Sequence, residues 1–233
     1  MLGPADYFVW ILSFGLEIFV VVFSLARRQL VRYLTLNMYM LAVALRTAGS
    51  FYFIRCYGLR SQAYGYFYYD SDLLLTILLY FVVFSLYQYV FEEMKASKYV
   101  RAASLMLLSG TALVSFLIVR QSQDHLTGRF VVQLSQNLYF VGLVLMYILW
   151  GAVMKLRETR TRVIQLVLAL GIYFSAYSAT YALRNIFPDL SLARTILPPL
   201  VGTWLPFAWA CTLWRVPEEA RLATTRLVAT HAR

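Results

Sequence analysis

Residues 34–54 read LTLNMYMLAVALRTAGSFYFI, an apolar run interrupted by a single charge, Arg46, near its middle. An α-helix rises about 1.5 Å per residue, so crossing a hydrocarbon layer about 30 Å thick takes roughly 20 residues, which is what this run supplies. The charge is the informative part. A guanidinium at the centre of a bilayer costs at least about 2.5 kcal/mol on insertion scales, so Arg46 predicts an acidic partner on a neighbouring helix.

The same kind of stretch recurs on both sides of it, at 5–26, 66–91, 102–119, 130–153, 163–183 and 195–214. A chain that is 61% hydrophobic and only 14% charged, with a mean hydropathy of +0.65, does not have the usage of a soluble domain. The expected fold is all-α: a polytopic membrane protein with a bundle of seven transmembrane helices over residues 1–214 and a tail over 215–233. No segment outside the spans is long enough to fold as a separate domain.

Basic residues assign the two sides. Arg27, Arg28 and Arg32 follow the first span, Lys95, Lys98 and Arg101 the third, and Lys155, Arg157, Arg160 and Arg162 the fifth. Arg215, Arg221, Arg226 and Arg233 follow the seventh. The alternate gaps hold only Arg55, Arg60, Arg120, Arg129, Arg184 and Arg194. Lys and Arg are retained on the cytoplasmic side, which predicts an N-terminus outside and a cytoplasmic C-terminus in the cell (inner) membrane. The net charge of +10 is split among short loops, so it reads as topology plus attraction to membrane lipid, and no nucleic-acid partner is expected. The first residues lack a basic n-region and an A-x-A-like cleavage site, and Asp6 stands where positive charge is usual; the first span is expected to stay in the mature protein. Cys56 and Cys211 fall at opposite ends of their spans, too far apart to share a disulfide.

Polar residues inside the spans carry the functional signal. Glu17 lies about twelve residues into the first span from outside and Arg46 about twelve into the second from inside, which brings both near the midplane. An ion pair or hydrogen-bonded network between them is expected, with Asp70 and Asp72, at the outer end of the third span, as alternative partners. Such a network serves as a structural staple, a proton-linked site or the anchor of a polar ligand. Tyr64, Tyr66, Phe67, Tyr68 and Tyr69 open the third span; Tyr173, Tyr177 and Tyr181 form a four-residue stripe on the sixth, with Ser178 and Arg184 beside it; Gln133, Gln136 and Asn137 lie on the fifth. Facing lipid, their hydroxyl and amide groups would go unsatisfied, so they predict a polar, aromatic cavity open to the outside. Interfacial belts are also rich in Tyr and Trp, and that reading covers Tyr64, Tyr66 and Trp10.

Pro198 and Pro199 fit the first turns of the seventh helix, whereas Pro206 removes the bond to the carbonyl of Gly202 and predicts a kink, read either as fixed or as a hinge. Beyond it, Pro217 with Glu218 and Glu219 suits a helix start, and Val216, Ala220, Ala223 and Leu227 form an apolar stripe. A short amphipathic C-terminal helix along the inner leaflet is expected.

Catalytic patterns are thin. The two histidines, His125 and His231, support neither a metal site nor a triad, and no G-x-S-x-G, Walker A, H-E-x-x-H or paired C-x-x-C occurs. No enzyme activity and no metal are expected; Asp70-Ser71-Asp72 leaves an aspartate-based lipid-modifying enzyme as the enzymatic alternative. Seven helices with an outside N-terminus resemble the microbial rhodopsins, whose retinal is bound to a lysine of the last helix. The final lysine here is Lys155, so that cofactor is excluded and none is expected.

The basic first loop, Leu45-Arg46-Thr47 and Tyr66-Phe67-Tyr68-Tyr69-Asp70-Ser71-Asp72 together resemble a group of uncharacterised bacterial seven-helix integral membrane proteins. More loosely, the layout is similar to the seven-helix sensing regions ahead of bacterial histidine kinases, with the departure that no signalling domain follows the last span. The outward polar cavity, beside this resemblance, favours a receptor-like sensor that binds a small or amphipathic ligand and signals through a cytoplasmic or membrane protein partner; no residue role is carried over from either group. Two alternatives stand beside it. Basic connections after the first and fifth spans match the three-plus-one-plus-three plan of small-solute or proton-linked transporters, though their Pro-Gln pair is absent. Small size without soluble domains also suits a scaffold subunit of a larger membrane complex.

Overall fold

A computed structural model describes residues 4–29, 31–58, 61–91, 126–155, 160–187 and 197–217, together with Met106, Leu107, 109–111 and Leu113; the side chains of 4–6, 126–133 and Asn185 are not included. Most of the fourth predicted span, the side chain of Gln133 and the tail beyond Pro217 lie outside the described residues. Six long helices are described: α1 Pro4–Ala26, α2 Leu34–Tyr57, α3 Gln62–Val90, α4 Leu126–Lys155, α5 Thr161–Ile186 and α6 Leu197–Arg215. Several run past the apolar stretches that predicted them, because polar ends such as Gln62 and Thr161 continue the backbone ladder. Among the described residues there is no strand.

Local chemistry explains the ends. Ser61 caps α3, its Oγ accepting from the Tyr64 amide at 3.1 Å. At the end of α2, Gly58 takes φ 82°, a left-handed conformation that costs a glycine little, and its amide donates to the Ile54 carbonyl. The end of α1 closes the same way on a bulkier residue: Arg28 has φ 55°, its amide donating to the Leu25 carbonyl and that of Gln29 to the Ser24 carbonyl. This turn aims Gln29 back at the bundle.

The six helices close a ring in chain order, with α6 returning to pack on α1. Most neighbours are antiparallel. The exceptions are α1 with α6 and α3 with α4. In the latter, the Tyr80 hydroxyl donates to the Leu138 carbonyl at 3.3 Å and that of Tyr87 to the Leu145 carbonyl at 2.6 Å, both across 58 residues. An unchanging offset is the signature of parallel helices, so Val90 and Leu126 lie at opposite ends of the ring. Close seams use small residues: at Gly142 of α4, a Cβ would come within 2.2 Å of the Phe174 ring of α5.

Apolar side chains face outward as well as inward. Ile11 and Leu25 of α1 are 71% and 61% exposed, and Val144, Ile148, Ile172 and Phe207 face outward on α4, α5 and α6, while the apolar core also encloses Glu17, Ser24, Asn37, Thr76 and Ser135. An apolar exterior with polar groups kept inside is what a hydrocarbon solvent selects. Among the described residues, four helices are long and apolar enough to cross a membrane, over Tyr7–Ala26, Gln62–Val90, Leu134–Lys155 and Thr161–Arg184. The protein is thus an all-helical membrane protein. α2 is less apolar overall because Asn37, Arg46, Thr47 and Ser50 interrupt it.

Candidate functional site

One end of the ring is hollow. A cavity of about 550 Å³ opens between the first halves of α1, α3 and α6 and the second half of α2. On α1, Trp10, Ser13 and Glu17 recur at three- and four-residue spacing and so share a face that lines it. On the opposite wall, Tyr139 of α4 stacks on Tyr177 of α5 with ring centroids 4.8 Å apart and planes 7° from parallel.

Arg46 meets the cavity from α2, and its partner is Asp72 of α3, Nη2 to Oδ1 at 3.4 Å, with side chains 20% and 16% exposed. Its guanidinium lies 4.8 Å over the Tyr68 ring, a cation–π contact. Glu17 takes a different partner: Thr47 Oγ1 donates to its Oε2 at 3.1 Å and also lies 3.0 Å from the Val43 carbonyl. Of the pairings expected, the direct Glu17–Arg46 ion pair is therefore corrected, while Asp72, the alternative partner, is the one that meets Arg46. Arg46 and Thr47 are adjacent on α2 and point about 100° apart, so one reaches α3 while the other reaches α1.

The remaining candidates divide. Tyr173 and Tyr177 line the cavity, and the Tyr173 hydroxyl lies 3.4 Å from that of Tyr39. Tyr181 continues the stripe behind them, 6.3 Å from Tyr177. Asp70 and Arg184 are exposed and do not line the cavity, a correction with a simple cause: Asp70 is two residues from Asp72, about 200° around the helix, and Arg184 lies in the last turn of α5. Gln136 and Asn137 are half-buried and outside the cavity wall. Pro206 is buried inside α6 and lines the cavity with Gly202. Thr203, one turn after Pro199, donates to the Pro199 carbonyl at 2.8 Å and meets Ser13 Oγ at 2.7 Å. Trp10 and Tyr64, read as belt residues, are cavity residues, while Tyr66 is exposed.

Tyr139 and Tyr39 were missed. The four-residue spacing of Ser135 and Tyr139 put both on one face of α4, a signal available in the sequence. Tyr39 had no such signal, since its role depends on which helix faces it.

Among the described residues no group of three or more metal-ligating side chains gathers. The walls instead combine one ion pair, one further carboxylate, hydroxyls and ring faces, a set suited to holding a polar or aromatic small molecule. Comparison of the chain with protein-family models, curated proteins and solved structures finds no match.

Proposed function

We propose that the protein crosses a cell (inner) membrane seven times and works as a receptor-like sensor. The cavity faces outside and binds a small or amphipathic ligand, and the resulting change in the ring is passed to a partner at the cytoplasmic face. The observation that carries this reading is the open polar cavity built around Arg46, Asp72 and Glu17 at the end of the ring away from Arg32, Arg160 and Arg162. Basic residues gathered at the closed end support a cytoplasmic position for that end. The parallel pairing of α3 and α4 supports a further crossing between them, which brings the total to seven. Cys56, free and exposed beside the cavity end, gives a direct check of orientation: a membrane-impermeant maleimide labels it in intact cells if that end is outside.

The function is tested by identifying what co-purifies. Mass spectrometry of extracts from purified protein is expected to find a compound that Gly202→Leu, which fills space beside Tyr177, reduces several-fold. Equal recovery from both proteins sinks the binding reading. Transport of a small solute is the second reading, favoured by Pro206 on the cavity wall. Flux into proteoliposomes that Glu17→Gln abolishes would establish it over sensing.

A further inference from the structure

The charges around the cavity do not balance, and the imbalance names a class of ligand. Besides the tyrosines, three ionisable side chains line it: Arg46, Asp72 and Glu17. The first two are in contact with each other at 3.4 Å. Glu17 is only 3% exposed, and the hydrogen bond described for its carboxylate comes from the neutral hydroxyl of Thr47. A carboxylate buried there is held as the anion where a positive charge lies beside it, and otherwise takes up a proton.

The size of the space says what kind. A cavity of about 550 Å³ far exceeds the room taken by a proton or a metal ion. It falls within the range of about 300 to 1,000 Å³ that small organic ligands occupy. The cavity that Glu17 lines has aromatic walls, with Trp10, Tyr39, Tyr64, Tyr68, Tyr139 and Tyr177 all contributing. The faces of such rings attract cations, and Arg46 over Tyr68 is an instance of that attraction in this same wall.

We propose that the ligand is an organic cation, a protonated amine or quaternary ammonium of small-molecule size, with Glu17 as its counter-charge and the ring faces as its cage. This rests on the reading of the cavity as a ligand site and adds its chemical preference. The Arg46–Asp72 pair is internally neutral and leaves Glu17 as the carboxylate without a cationic contact in the wall.

Three soluble probes of similar shape separate the possibilities: phenethylammonium, phenethyl alcohol and phenylacetate, titrated into the detergent-solubilised full chain near neutral pH. Binding is followed by tryptophan fluorescence, which Trp10 reports, and by the thermal unfolding midpoint. The ammonium is expected to bind at least about tenfold more tightly than the alcohol, as one charge-assisted contact supplies, and the carboxylate more weakly than either. Glu17→Gln is expected to remove the preference for the ammonium, and Glu17→Asp to keep it. Wild-type selectivity decides the matter even if Glu17→Gln does not fold. An alcohol or carboxylate that binds as tightly as the ammonium overturns the cationic class and leaves a ligand cavity standing. Saturable binding by none of the three, with no compound co-purifying, overturns the ligand cavity and this proposal together.

Discussion

Arg46, half-buried midway along α2, and Arg162, buried at the packed end of the ring, are satisfied by different chemistry. Arg46 lies beside open space and is held by a carboxylate and a ring face. Arg162 is 4% exposed in the packed end, where Nη2 and Nε donate to the Val216 carbonyl at 2.6 and 3.1 Å and Nη1 to Gln29 Oε1 at 2.9 Å. A helix C-terminus carries unsatisfied carbonyls and a partial negative charge, so a cation there completes α6 and ties it to the turn after α1. No helix ends beside Arg46. It depends on a side-chain carboxylate, and the pocket around that pair stays polar and hollow. Neighbouring bonds reinforce the closed end: Arg160 Nη2 donates to the Tyr89 carbonyl at 2.5 Å, and the Tyr89 hydroxyl bonds the Arg32 carbonyl. One end is thus tied together by charged hydrogen bonds to carbonyls, while the other encloses a cavity.

The largest effect expected of breaking this contrast is at the cavity. Arg46→Leu leaves Asp72 unpaired and should lower unfolding stability in micelles by about 3 kcal/mol, while adding Asp72→Leu recovers at least about 1 kcal/mol. Adding Glu17→Leu in place of Asp72→Leu recovers less. Additive losses for the Arg46 and Asp72 changes would mean the pair is not coupled. At the other end, Arg162→Gln removes the charged fork on Val216 and should cost about 2 kcal/mol, with faster proteolysis after Arg215 as a second readout. Unchanged stability and cleavage would remove the distinction between a finishing cation and a site cation. Smallest are Asp70→Asn and Arg184→Ala, both exposed, expected within about 0.5 kcal/mol of the wild type in the same assay. A larger loss from Asp70→Asn would put that carboxylate back in the network.

Much of the helical framework was readable because span length and apolarity are properties of consecutive residues. Hence α1 to α6 fall on six predicted stretches with ends moved by a few residues. The depth of Glu17 and Arg46 was equally legible, since rise along a helix needs only counting. Partner choice was not. Asp70 and Asp72 are alike in sequence and opposite in fate, one exposed and the other bonded to Arg46. Tyr139 faces the cavity while its polar neighbours in sequence, Gln136 and Asn137, are left off the wall by the rotation of α4, a direction that residue type does not give.

From its residues alone, the chain declares an all-helical membrane protein with charges buried partway along its helices and basic residues concentrated in alternate gaps. Tertiary structure alone decided that the ring closes through α6 on α1, that α3 and α4 run parallel, and that Arg46 and Glu17 turn to different neighbours. The reason is geometric. Composition sets how far along its axis each side chain sits, but its direction around that axis changes by about 100° per residue, and which helix stands in that direction is settled only when all of them pack.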